Sequence, residues 1–142
     1  GSLQNKYIGD NTTSLNDIKQ TFDSNGNLTG YIVGGKDDTG AAIYELDQNG
    51  DQTSTSFSDY NLSNVKNVQQ VSDGYVLVGE DKTTGEIELV KTKSDGTESW
   101  QSSLSSANFD QISSIEEVSS GRYRLTGTTT QSDDLAVVEV DN

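Results

Sequence analysis

The chain has 142 residues, the length of a single domain. It contains 9 Lys and Arg against 23 Asp and Glu, for a net charge of −14, and it has neither His nor Cys. This composition excludes disulfides, thiolate metal sites and catalytic triads built on His or Cys. The few scattered basic residues argue against nucleic acid as a partner, and neither docking to an anionic membrane nor membrane insertion is predicted.

The first residues of the chain are interpreted separately from the rest. Gly1 and Ser2 are interpreted as a cloning remnant, and residues 3–142 are predicted to form a single repeat domain. Residues 3–8 fit the position of a strand that recurs later in the chain. We expect this strand to complete the last repeat and so to remove a free sheet edge. The alternative is that both termini are arbitrary boundaries.

A five-residue segment that begins with Tyr and ends with Gly occurs three times. The copies are residues 31–35, 75–79 and 123–127, and their tyrosines are 44 and 48 residues apart. Self-similarity at such a period predicts a stacked or ringed repeat architecture. The units are approximately 15–58, 65–104 and 112–142, with residues 3–8 added to the last.

Each unit is predicted to contain four strands, in the order A to D. Segment A has apolar residues at every third position, as in Val65, Val68 and Val71. This spacing fits a helical turn or a bulged strand, and the β-branched residues favour the strand. Segment B is the Tyr-to-Gly segment. Segment C alternates apolar and polar residues, and segment D follows a turn rich in Asn, Asp and Gly.

Two of these turns resemble the front half of a calcium-binding loop. Residues 47–51 (Asp-Gln-Asn-Gly-Asp) and 23–27 (Asp-Ser-Asn-Gly-Asn) place oxygen ligands at alternate positions around a glycine. Both lack the bidentate Glu of an EF-hand. Turn chemistry alone explains the residues, so a hairpin turn is the favoured interpretation and calcium the alternative. No other cofactor is predicted.

Glycan binding is the positive functional hypothesis. Trp100, the single tryptophan, is the candidate ligand-binding residue, because an aromatic ring can serve as a platform for a sugar. The repeating tyrosines are instead expected to pack in the core. Paired carboxylates for glycoside hydrolysis are the competing hypothesis. The candidates are expected at exposed positions: Glu86, Glu88, Glu116 and Glu117.

The second copy carries a resemblance to a known family. Residues 72–79 read Ser-Asp-Gly-Tyr-Val-Leu-Val-Gly, and Leu-Val-Lys at 89–91 and Ser-Asp-Gly at 94–96 follow. This pattern resembles the bacterial and archaeal β-propeller blade repeats of the Asp-Gly-Gly-Tyr type, and the resemblance covers nearly the whole chain. It implies an all-β fold with one four-stranded blade per unit. Such repeats share no catalytic residues, so none is transferred.

The number of units departs from that family. Propellers usually close with four to eight blades, whereas this chain has three units. A homodimer could complete a six-bladed ring, the chain could be a fragment of a longer array, or three units could close on themselves. The alternative fold is a β-trefoil, which also uses three repeats of four strands.

Together these observations predict a non-catalytic binding or scaffolding module of a secreted or cell-surface bacterial protein. Its expected partner is a protein or a glycan, and its role adhesion or recognition. The cysteine-free, acidic composition, rich in Ser, Thr and Asn, fits an extracellular setting. The alternative function is a glycan-acting enzyme domain that uses paired carboxylates.

Overall fold

The computed structural model describes residues 12–54, 60–130 and 134–141, and within these ranges the protein is all-β apart from one short 3₁₀ turn. The strands of the first sheet are β1 (Thr12–Phe22), β2 (Leu28–Asp37), β3 (Gly40–Asp47) and β4 (Gln52–Ser54). Those of the second are β5 (Leu62–Val71), β6 (Gly74–Asp81), β7 (Ile87–Lys93) and β8 (Glu98–Ser103). Those of the third are β9 (Phe109–Ser119), β10 (Arg122–Thr129) and β11 (Leu135–Asp141).

The three sheets are antiparallel meanders in which each strand pairs with its neighbours in the chain. The all-β prediction is therefore confirmed, and segments A to C are strands in every copy. The strands described form separate sheets without a closed barrel, so they do not show the barrel of a β-trefoil. Residues 3–8, predicted to complete the third sheet, lie outside the described residues.

A β-bulge explains the unusual spacing in segment A. In the second sheet Val65 pairs with Gly79 and Asn67 pairs with Val78, which leaves Lys66 as an extra residue. Because of this extra residue, Val65 and Val68 lie on the same face despite their separation of three. The equivalent extra residues of the other two sheets are Asn16 and Ser113.

The bulge also explains the glycine that ends each repeat motif. A Cβ atom at Gly79 would overlap the backbone carbonyl oxygen of Asn64, on the bulged strand β5. The other two motif glycines, Gly35 and Gly127, meet a carbonyl oxygen of β1 or β9 in the same way. Glycine is therefore required at these positions because the two backbones approach closely.

The core consists of thin apolar layers between consecutive sheets. Val65 and Val68 of β5 belong to the layer between the first and second sheets, together with Ile32 and Ile43. Val71 belongs instead to the layer between the second and third sheets. Strand β5 thus contributes to both layers, and the second sheet is the centre of the stack. The described residues of a third cluster all belong to the first sheet: Tyr31, Val33, Ala42, Tyr44 and Leu46.

The outer face of the third sheet differs from the equivalent faces of the other two. Arg124 occupies the position of the fully buried Ile32 and Val76, and it forms ion pairs with Glu139 at 2.8 Å and Glu116 at 3.8 Å. Beside this charged row, two apolar side chains are exposed: Leu135 and Val137. The charged row is typical of the solvent-facing end of a stack, whereas the two exposed apolar side chains are typical of a face that another element covers.

Candidate functional site

The candidate site is a cavity of about 680 Å³ at the end of β1, β5 and β9, where each strand turns into the next. We call it the hairpin-end cavity. The side chains that give it its chemistry are Phe22 and Asp23 from the first sheet, Gln69 and Gln70 from the second, and Glu116 and Glu117 from the third. It therefore brings together three segments that are far apart in the sequence.

Phe22 supplies an apolar surface to this cavity. It is the last residue of β1 and is 44% exposed. Gln70 of the neighbouring sheet fixes its backbone: Phe22 N donates to Gln70 Oε1 at 2.7 Å, and Gln70 Nε2 donates to the Phe22 carbonyl oxygen at 2.9 Å. An exposed aromatic side chain is thus held on a fixed backbone, as a rigid binding platform requires.

Asp23 holds the turn that follows Phe22. Its carboxylate accepts hydrogen bonds from the backbone nitrogens of Asn25 and Asn27, each at 2.9 Å, and from the Asn27 side chain at 3.0 Å. These hydrogen bonds, led by that of the Asn27 side chain, lower the pKa of Asp23. Asp23 therefore carries its negative charge at the cavity rim throughout the physiological pH range.

The two glutamates of β9 have different surroundings. Glu117 accepts hydrogen bonds from the backbone nitrogen of Ser72 at 2.8 Å and from its hydroxyl at 3.0 Å, which ties the third sheet to the second. The side chain of Glu116 is 67% exposed, and it forms an ion pair with Arg124 at 3.8 Å. Glu116 is paired in register with Arg124 and so lies on the outer face of the third sheet, at the border of the cavity that it lines, whereas Glu117 positions the cavity wall.

Trp100, predicted as the ligand platform, does not line this cavity. It lies on β8 and packs, partly buried, against the core layer between the second and third sheets. Its ring centroid is 5.9 Å from that of Tyr123, with the planes tilted by 48°. The expected core role of the tyrosines is confirmed for Tyr75 and Tyr123, which are buried. A ligand role for Trp100 stays a prediction.

The four candidate carboxylates do not all come together. Glu116 and Glu117 line the hairpin-end cavity, whereas Glu86 lines a different cavity beside Leu104. The expectation of exposure was wrong for Glu88, which is 7% exposed because it points into the sheet stack. Gln101 Nε2 donates to it at 3.4 Å, and burial raises the pKa of the Glu88 carboxyl.

Glu88→Gln is expected to raise the melting temperature by a few degrees at neutral pH and to change it little near pH 4. The folded pKa of Glu88 is raised, so its ionised form destabilises the fold above the ordinary pKa. This loss of folding free energy disappears as the pH falls through the raised pKa of Glu88 toward its ordinary pKa. Thermal unfolding followed by circular dichroism measures both effects, with the exposed Glu98→Gln as control. An unchanged melting temperature at neutral pH would contradict this account.

Both loops weighed as calcium sites form hairpin turns in which the aspartate accepts backbone hydrogen bonds. Asp47 Oδ1 accepts from the backbone nitrogens of Asn49 and Asp51, each at 2.8 Å. The glycine at the fourth position, Gly50, has φ +81°, as such a turn requires. Within the described ranges, no group of three or more acidic, His or Cys side chains could hold a metal ion.

The described part of the chain contains no helix with the length and apolar character needed to span a membrane. Comparison with protein families, with characterised proteins and with solved structures gives no match to this chain.

Proposed function

We propose that the chain is a non-catalytic glycan-binding module of a secreted or cell-surface bacterial protein. In this proposal each sheet is a β-propeller-like blade, and the hairpin-end cavity is the glycan site. The observation that supports it is the exposed Phe22 beside the amides of Gln69 and Gln70 and the carboxylate of Glu116. An aromatic ring can pack against the C–H face of a sugar, while amides and carboxylates hydrogen-bond its hydroxyl groups.

The charge of the site narrows the class of glycan. Asp23, Glu116 and Glu117 line the cavity, and its lining includes no Lys or Arg among the residues that the structure describes. The whole chain carries a net charge of −14. An anionic sugar would be repelled by these carboxylates. The ligand is therefore a neutral glycan, whose hydroxyl groups donate to Glu116 and to the Gln69 side-chain oxygen. The oxygens of Asp23, Gln70 and Glu117 are already hydrogen-bonded within the protein.

Phe22→Ala is expected to weaken glycan binding by about tenfold, because the apolar platform is removed while the polar groups remain. A glycan array identifies the ligand, and isothermal titration calorimetry measures its affinity. Ile18→Ala is the matched control: Ile18 is 53% exposed on the same strand and does not line the cavity. Equal affinities of both variants and the wild type would contradict the proposed site.

The enzyme alternative is tested on the same ligand. Glu116 and Glu117 are adjacent in β9. Ser72 donates two hydrogen bonds to the Glu117 carboxylate, so this carboxylate holds the third sheet to the second. We expect the bound glycan to remain uncleaved on prolonged incubation. Release of a new reducing end, lost in Glu116→Gln, would support the hydrolase instead.

The homodimer that would complete a six-bladed ring stays a prediction. Such a ring would have to bury the outer face of the third sheet, where Arg124 and its carboxylate partners lie. The ion pairs of Arg124 on this face favour a single stack, whereas the exposed Leu135 and Val137 favour the ring. Light scattering decides the question: a mass of 15.3 kDa is expected for the stack, and twice that mass for the ring.

A further inference from the structure

A second, polar cleft of about 380 Å³ lies at the opposite end of β5 and β9, between the second and third sheets. We call it the Asn67 cleft. Its polar lining consists of Asn16, Lys66, Asn67, Glu80, Asp110 and Gln111. Three apolar residues complete it: Val78, Ile87 and Ile112. The cleft and the hairpin-end cavity share no lining residue in the part of the chain that the structure describes.

The equivalent place between the first and second sheets is occupied by a side chain of the protein. Asn16, the extra residue of the β1 bulge, donates through Nδ2 to Asn64 Oδ1 and to the Val65 carbonyl oxygen, each at 2.7 Å. The next residue, Asp17, accepts from the backbone nitrogen of Val68 at 3.1 Å. These three hydrogen bonds join the two sheets, and we call them the carboxamide clamp.

The clamp is not repeated between the second and third sheets. Lys66 replaces Asn16 and forms an ion pair with Glu80 at 3.0 Å. Asn67 replaces Asp17, and its Oδ1 atom is buried without a hydrogen-bond partner. A buried acceptor left unpaired is unfavourable, and it calls for a donor. In the third sheet, Gln111 corresponds to Asn64 and Ile112 corresponds to Val65. The Gln111 side-chain oxygen and the Ile112 carbonyl oxygen are therefore equivalent to the two acceptors of Asn16, and both residues line the cleft.

We propose that the Asn67 cleft binds a primary carboxamide, the side chain of an Asn or Gln residue in a peptide. The amide of the ligand would take the place that Asn16 fills in the neighbouring interface, donating one N–H to the Ile112 carbonyl oxygen and the other to Asn67 Oδ1. The three apolar residues would contact the aliphatic part of the same side chain. The inference is independent of the proposed glycan site, which lies at the other end of the strands.

The probe is asparagine blocked as its N-acetyl N-methylamide, titrated into ¹⁵N-labelled protein and followed by amide chemical shifts. Blocked leucine is the control ligand. We expect saturable shifts around residues 66–67 and 110–112 with the asparagine compound only. Shifts that are absent, or equal for the two compounds, would overturn the proposal and would leave water as the donor to Asn67.

Variants of Lys66 give a matched test. Lys66→Asn restores the residue found at position 16, and we expect it to form the clamp, raise the melting temperature and weaken binding of the probe about tenfold. Lys66→Ala removes the ion pair to Glu80 without supplying a carboxamide, so it should retain binding. Asn67→Leu removes the unpaired acceptor, and we expect it to lose binding without a lower melting temperature. Unchanged binding in both Lys66→Asn and Asn67→Leu would contradict the proposed site.

Discussion

Replacement of Gly79 by alanine is expected to lower the free energy of unfolding by about 3 kcal/mol, because the new methyl group would overlap a backbone atom. The overlapping atom is the carbonyl oxygen of Asn64 on the bulged strand β5. Relief requires that β5 and β6 move apart, and β5 contributes to both core layers. The loss is large against a typical domain stability on the order of 5–15 kcal/mol.

Gly85→Ala is the control for this prediction. Gly85 has φ +72°, and a Cβ atom there would meet nothing within 4 Å. Its substitution therefore adds conformational strain alone, which costs about 1 kcal/mol. Urea denaturation of the two variants measures the difference. Equal losses would show that the close approach of β5 and β6 does not explain the glycine of the repeat motif.

Leu77→Ala is expected to lower the free energy of unfolding by about 2 to 5 kcal/mol. Leu77 is 0% exposed on β6 and belongs to the layer between the first and second sheets, with Val65 and Val68. Only 30% of the chain is hydrophobic, so each layer is thin and a cavity in one of them has few residues to compensate for it.

Leu135→Ala is the matched control, because Leu135 is the same residue type at 89% exposure on the outer face of the third sheet. We expect it to change the free energy of unfolding by less than about 0.5 kcal/mol. Denaturant titrations of both variants make the comparison. A large loss in Leu135→Ala would mean that the outer face is covered in solution, and it would favour the six-bladed dimer.

The sequence predicts the all-β fold and the strands well, because both depend on local patterns. The motif glycines mark the bulges, and the three-residue spacing in segment A reflects burial on both faces of β5. The spacing alone did not separate a helical turn from a strand. That distinction depends on the bulge, which is set by the pairing with the next strand.

The hairpin-end cavity was not predicted, since its walls come from three distant segments. One signal could have identified it: Phe22 is aromatic where the equivalent positions of the other repeats are Ser72 and Ser119. The same reasoning selected Trp100, another non-repeating aromatic, which the structure places against Tyr123. Only the exposure of the two side chains separates them, and exposure depends on how the sheets pack.

The Asn67 cleft was not predicted from the sequence either. The change from Asn16 to Lys66 is conspicuous only once both residues are known to occupy the extra position of a bulge. Asn64 accepts a hydrogen bond from Asn16, and Gln111 lines the cleft beside Lys66; these two residues are equivalent only after the sheets are superposed. Contacts between sheets therefore determine both candidate sites, whereas the local pattern determines the sheets.

The stacking of the three sheets through thin apolar layers is the claim on which both sites depend. A NOESY spectrum of the methyl-labelled protein tests it most directly. We predict a cross-peak between the Gly34 Hα protons and a Val65 methyl group, since a Cβ atom at Gly34 would lie 2.7 Å from Val65 Cγ1. We also predict methyl cross-peaks between Val78 and Leu125 across the second layer. Intact strand pairing within each sheet without either cross-peak would contradict the account.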